Sequence, residues 1–258
     1  MARQAAANIT YTEVRYDPIR AARSGLARTS ISPERAVLAI EQGLQAASQK
    51  HGVRVYQLLC AMRGQPASAC FELVELASEV RSAQLGGVVG VDLAGDEFHF
   101  NNSQGEVESC FRHAKLDLGL NTTVHAGEMA GPDDVRTAVE VMLADRIGHG
   151  YSATSDASLM SLLNRKRVHL EACPGNHPKN LPDVRAFLDE GLSFGLNTDD
   201  PAEYFGNSSL PQNELIVEAR LNFTTGDVAQ AYANARAASF ATHAEMHAKR
   251  ARVVRKDN

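Results

Sequence analysis

Apolar residues fall in short β-branched runs separated by longer stretches of helical period, and this alternation covers most of the chain. Residues 9–16, rich in Ile, Thr, Tyr and Val and stopped by Pro18, predict a strand close to the start. Ser32-Pro33 is a helix start, a serine cap before a proline, and Val37, Ile40, Leu44 and Ala47 then recur at helical spacing until Gly52. Residues 53–62 are apolar enough for a strand buried on both faces. A helix over 67–83 follows, then a strand over 88–93 that closes in Ala94-Gly95-Asp96-Glu97, a helix over 106–118, and a strand that carries His125. Gly131-Pro132-Asp133 opens a further helix with Val135, Val139, Met142 and Leu143 inward. Then come a very short strand over 146–150, a helix capped by Ser155, a strand over 168–173, a helix over 184–188 and a last strand over 193–199. Helices over 214–221 and 228–241 complete the pattern, and the Lys249 to Lys256 run reads as a solvated helix end.

Seven predicted strands with helices between most of them imply parallel βα units, in either a (β/α)8 barrel or a doubly wound sheet. The polar residues choose between the two. Gly95, His125, Glu128, His149, Asp199 and Asp200 all fall at the carboxyl ends of predicted strands or just past them. In a barrel those ends converge on one mouth, whereas an open sheet spreads them along an edge. The expected architecture is therefore α/β, a TIM-type (β/α)8 barrel forming one domain over 1–258. One strand is short of eight and the first begins near residue one, so the expectation is that the barrel's own first strand is missing from this sequence.

Composition narrows the setting. With 258 residues the chain has the length of one large α/β barrel, and a net charge of −5 gives no attraction for nucleic acid. No apolar run approaches membrane-spanning length, and the N-terminus lacks the core of a secretory signal. The four cysteines, Cys60, Cys70, Cys110 and Cys173, show no C-x-x-C pair and are expected as reduced thiols in a cytoplasmic protein. Neither nucleic acid nor membrane is expected as a partner.

The chemistry centres on Thr123-Val124-His125-Ala126-Gly127-Glu128. Alternation puts Thr123, His125 and Gly127 on one strand face, so His125 emerges at the strand's end with Glu128 just beyond it. A metal ligand beside a proton donor is what metal-assisted hydrolysis requires, although the same stretch alone also fits a buried structural histidine and a solvated glutamate. His149 stands between glycines, and Asp199-Asp200-Pro201 puts two carboxylates at the last strand's end, where alternation should send them in different directions. Two histidines, a glutamate and an aspartate pair at one mouth suit an activated water attacking a polar carbon, with an acid to protonate the leaving side. His243 and His247 lack the His-Glu-x-x-His order and read as surface residues.

Four stretches in register carry a more specific likeness: His125-Ala126-Gly127-Glu128, Arg146-Ile147-Gly148-His149-Gly150, Glu171-Ala172-Cys173-Pro174 and Leu196-Asn197-Thr198-Asp199-Asp200-Pro201. With Glu13-Val14-Arg15-Tyr16 and Asp92-Leu93-Ala94-Gly95-Asp96-Glu97, they resemble the motifs of the adenosine deaminase family over nearly the whole chain. The resemblance implies a zinc-dependent barrel that hydrolyses adenosine or a related 6-aminopurine to the 6-oxo purine and ammonia, one zinc ion per complete chain, and a small-molecule purine nucleoside as partner. It further implies His125 and Asp199 as zinc ligands and Glu128 as the donor of a proton to the purine ring nitrogen beside the attacked carbon. That role needs a glutamate still protonated when substrate binds, hence a raised pKa in a dry pocket. His149 is implied to orient the attacking water or take its proton, Asp200 to bond the five-membered side of the purine, and the Gly95 N–H to contact another ring nitrogen.

Two departures accompany the likeness. The family carries a His-x-His pair on its first strand, and this sequence has none. After Pro174 the segment Gly175-Asn176-His177-Pro178 replaces the family's usual Ser-Asn or Ser-Ser and its longer continuation. Two alternatives stand beside a working deaminase: an impaired or inactive remnant that acts by binding or association, and another metal-dependent amidohydrolase.

Overall fold

The computed structural model describes residues 1–23, 31–100, 105–175, 178–200 and 209–241. They divide into two compact units. The first holds the described residues of Met1–Ala94 and His113–Thr122 together with Phe240 and Ala241, and the second those of Gly95–Arg112 and Thr123–Ser239.

The first unit is built on β1 (Tyr11–Tyr16), β2 (Arg54–Met62) and β3 (Val88–Ala94), paired in that order and parallel, with Tyr11 opposite Arg54 and Leu58 opposite Gly90. Parallel neighbours need a crossover, and the helices Pro33–His51 and Ala67–Ser82 supply it. Ser32 caps the first of these, its Oγ accepting the Arg35 N–H at 3.2 Å. β2 is buried from Val55 to Ala61, as expected for a strand covered on both faces. Leu58, Leu59, Val74 and Val91 are fully enclosed, each contributing on the order of 1.5–3 kcal/mol by burial. The polar residues among them are paired: the Gln57 amide donates to Glu41 at 2.7 Å, and the Arg15 guanidinium donates to the buried Asp92 at 3.2 Å.

The second unit takes β4 (Asn121–Ala126) from Thr123 onward, then β5 (Arg146–His149), β6 (His169–Ala172) and β7 (Phe194–Leu196). These run β4-β5-β6-β7, again parallel, with His125 opposite Gly148, Ile147 opposite Leu170 and Ala172 opposite Leu196. Helices Pro132–Glu140, Ala157–Lys166 and Leu181–Asp189 connect them, and Leu210–Leu221 and Thr225–Ala237 follow. Packed rings run through the core, Tyr151 on Phe187 at 6.2 Å, Phe187 on Phe194 at 6.1 Å and Phe194 on Phe223 at 6.1 Å. A buried ion pair, Arg146 Nε to Glu171 Oε1 at 2.8 Å, joins β5 to β6.

The expected parallel βα rhythm is present, with seven strands among the described residues. Several local expectations are corrected. The last strand stops at Leu196 instead of running to Asp199: the Asn197 N–H still pairs with the Ala172 carbonyl of β6 at 2.8 Å, but the Asn197 carbonyl is taken by the Asn213 side-chain amide at 2.6 Å. The cap of helix Ala157–Lys166 is Asp156, not Ser155: its carboxylate accepts the N–H groups of Ser158 and Leu159. Helix Pro132–Glu140 ends before Met142 and Leu143, of which only Met142 is buried. Short helices Ala2–Ala6 and Pro18–Arg23 carry no periodic signal and were not expected. Cys60 and Cys173 are free and buried, whereas Cys70 and Cys110 are disulfide-bonded, so the reading of four reduced thiols fails for those two. No helix among the described residues is long and apolar enough to cross a membrane. His177, the His243/His247 pair and the Lys249–Lys256 run lie outside the described residues.

Candidate active site

All of the site's converging side chains belong to the second unit. His125 is the penultimate residue of β4, and the parallel register sets Gly148 of β5 beside it. A Cβ at position 148 would stand 2.8 Å from His125 Cγ and 2.9 Å from its Cδ2, so glycine there is what gives the imidazole its place. His149, the last residue of β5, has φ 66°, a left-handed conformation that costs a non-glycine residue on the order of 1 kcal/mol. The turn it begins is held by two backbone bonds, Gly150 N–H to the Ala126 carbonyl at 3.0 Å and Ser152 N–H to the Gly127 carbonyl at 2.9 Å. Gly127 permits that approach: with φ 77°, a Cβ there would meet Ser152 Oγ at 2.5 Å.

His149 is 3% exposed. Its ring lies across that of His125 at 5.1 Å and 65°, and against Tyr151 at 5.5 Å. Its Nε2 lies 3.5 Å from Glu128 Oε2 and 3.9 Å from Asp199 Oδ2. One ligand atom from each of His125, His149 and Asp199 falls within 4.8 Å of the others, a grouping able to hold a metal ion. Asp199 reaches it from a loop, with φ 52°. Below His149, burial holds the Tyr151 phenol well above its ordinary range, and the neighbouring Cys173, Asp199 and Glu128 groups disfavour a phenolate further. It therefore stays neutral, accepting the Cys173 N–H at 2.8 Å.

The structure thus brings together His125, Glu128, His149 and Asp199. Gly95 directly follows β3, with φ 105°, and Asp200 is exposed next to Asp199. The directional argument for the two aspartates loses its footing, because neither lies in a strand. Sequence reasoning passed over three residues. Glu97 binds the loop that carries Glu128. Asn213, fully buried, donates its amide N–H to the Asn197 carbonyl at 2.6 Å, ahead of Asp199. Tyr151 packs against the His149 ring. Glu97 had a signal, a carboxylate two residues past a strand-end glycine; Asn213, inside a later helix, had none.

Parallel βα units with two imidazoles and two carboxylates gathered at or just past their strand ends suit metal-assisted hydrolysis on an α/β fold. The family model described as adenosine deaminase matches residues 1–256. The chain is 33% identical over 248 residues to the adenosine deaminase of Mus musculus, covering 90% of this chain and 68% of that one. Among solved structures it superposes on the adenine deaminase of Arthrobacter aurescens with a TM-score of 0.80 and 24% identity, over 94% of this chain and 72% of that one. It superposes on an amidohydrolase of Burkholderia ambifaria, solved with bound Zn, with a TM-score of 0.78 and 21% identity, over 93% and 65% respectively. This chain belongs to the adenosine deaminase family, hydrolases that act on C–N bonds in cyclic amidines.

Proposed function

We propose that the protein hydrolyses the exocyclic amine of adenosine or a related 6-aminopurine, giving the 6-oxo purine and ammonia. The observation that carries this reading is the meeting of Glu128, His149 and Asp199 around one imidazole nitrogen, with His125 alongside. The His125 imidazole nitrogen and the Asp199 carboxylate lie within 4.8 Å of each other and are donor types that suit zinc, with His149 equally near for a separate role. His125 and Asp199 would hold the ion. Zinc bound there supplies Lewis acidity and a water whose pKa is lowered to about 7.

The remaining steps belong to the chain's own groups. Glu128 donates a proton to the ring nitrogen beside C6, which makes that carbon electrophilic. His149, buried and directed at both carboxylates, orients the attacking water and takes its proton. The neutral Tyr151 phenol and the apolar rings beneath it keep bulk water from that face of the imidazole. Asp200 and the Gly95 N–H serve as contacts to the purine; glycine at 95 lets a base approach the main chain.

The test compares the 258-residue chain with Glu128→Gln, measuring ammonia release from adenosine, adenine and adenosine monophosphate alongside zinc per chain. The expected result is release by the parent from at least one of them, and a loss of about a hundredfold or more in the variant with zinc retained. Turnover of the variant within tenfold of the parent would remove Glu128 from the proton-donor role.

A further inference from the structure

Glu97 lies in the loop after β3, two residues beyond Gly95, and is 2% exposed. A carboxylate so deeply buried is costly unless hydrogen bonds compensate it. One oxygen collects them all: Oε2 accepts the N–H groups of Glu128 at 3.0 Å, Met129 at 3.0 Å and Ala130 at 3.1 Å. Oε1 is equally buried and has no hydrogen-bond partner among the described residues. The segment it grips has no helix or strand of its own between Ala126 and Pro132. Among the described residues those three N–H groups donate to no backbone carbonyl. Glu97 supplies the acceptors that regular structure supplies elsewhere.

We infer that Glu97 is the positioning residue for Glu128, fixing through three charge-assisted bonds the loop from which that side chain meets His149. The inference rests on the deaminase reading above for its consequence in catalysis, but not for the grip itself. A proton donor acts only within hydrogen-bond reach of its target, and an error near 1 Å costs about a hundredfold in rate. Binding the backbone of Glu128 and its two successors restricts the side chain's origin without touching its carboxyl group. Because a single oxygen makes all three bonds, a glutamine, with one carbonyl oxygen, can make them too, more weakly for want of charge.

The experiment uses the 258-residue chain loaded with zinc, with Glu97→Met and Glu97→Gln. Amide hydrogen exchange at residues 128–130, zinc per chain, kcat and KM are measured for the 6-aminopurine the parent turns over best. In Glu97→Met, exchange at the three amides should rise about tenfold or more. Its kcat should fall about a hundredfold with KM within about threefold and zinc retained. Glu97→Gln should recover kcat to within about tenfold of the parent. If Glu97→Met does not fold, Glu97→Asp takes its place: one methylene shorter, it cannot reach all three amides, and the same losses are expected. Unchanged exchange at 128–130, or unchanged kcat despite faster exchange, overturns the inference. A fall in kcat that tracks loss of zinc overturns it as well, since that is general damage to the site. A parent that releases ammonia from none of the purines overturns the deaminase reading instead, and the exchange data alone then decide whether Glu97 holds the loop.

Discussion

The residues at the site are placed by backbone conformations that side chains rarely adopt. His149 and Asp199 both have positive φ, at 66° and 52°, and their side chains come within 3.9 Å of each other. Such strain persists only where surroundings over-determine it, and here the backbone bonds around Gly127, Gly150 and Asn197 do so. Gly148 matters by the opposite device, the absence of a side chain. The Gly148→Ala methyl group would press on the His125 ring at 2.8 Å and displace it, with overpacking that costs on the order of 1–3 kcal/mol. The expected outcome is a chain that folds but binds zinc at least about tenfold more weakly and turns over about a hundredfold more slowly. Zinc titration and steady-state kinetics check it, and a variant with parental zinc affinity would show that His125 is not held by this gap.

At the scale of elements, two of the site's loops are tied by buried polar side chains, the one after β4 by Glu97 and the one after β7 by Asn213. Asn213 in helix Leu210–Leu221 holds the carbonyl of Asn197, which is why β7 ends three residues before Asp199. Asp156 is the clearest cap. The Ser158 hydroxyl, the Leu159 N–H and the Arg136 guanidinium, at 2.7 Å, hold its carboxyl well below the ordinary carboxylate range. A carboxyl depressed on folding contributes stability above its unfolded pKa, near 4, and loses it as pH falls toward the folded value. Asp156→Ala should therefore melt below the parent at pH 7, with the gap closing as pH drops below about 4. Thermal melts across that range check the sign; a gap that does not vary with pH would mean that the cap acts without its charge.

For the whole molecule, a single barrel domain over 1–258 is our reading, and the two compact units make it testable. One domain should unfold in one cooperative transition. Zinc that binds only the folded state should raise that transition, by about 2.7 kcal/mol at a hundred times its Kd. Calorimetry before and after a chelator is the measurement. A single transition that falls on chelation, with ammonia release lost and both restored by added zinc, is the expected result. Two transitions, of which only one responds to zinc, would assign the metal to the second unit alone, since His125, His149 and Asp199 all lie there.

The linear order of apolar runs and breakers was sufficient for the parallel βα rhythm, because burial on both strand faces needs only local composition and Ser32, Pro33 and Pro132 set helix starts by their own backbone chemistry. The motifs that carry His125, Glu128, His149 and Asp199 were equally plain, being short and contiguous. Strand alternation failed as a guide to Asp199 and Asp200, since a strand's end depends on which groups take its backbone bonds, and the Asn197 carbonyl goes to the side chain of Asn213 in a later helix. The same holds for the Gly148 gap, which exists only because parallel pairing sets it against His125, and for Glu97, whose three partners lie more than thirty residues away. Local preference is written residue by residue along the chain, whereas hydrogen-bond partners and close approaches between distant segments arise only when packing selects one arrangement of the whole.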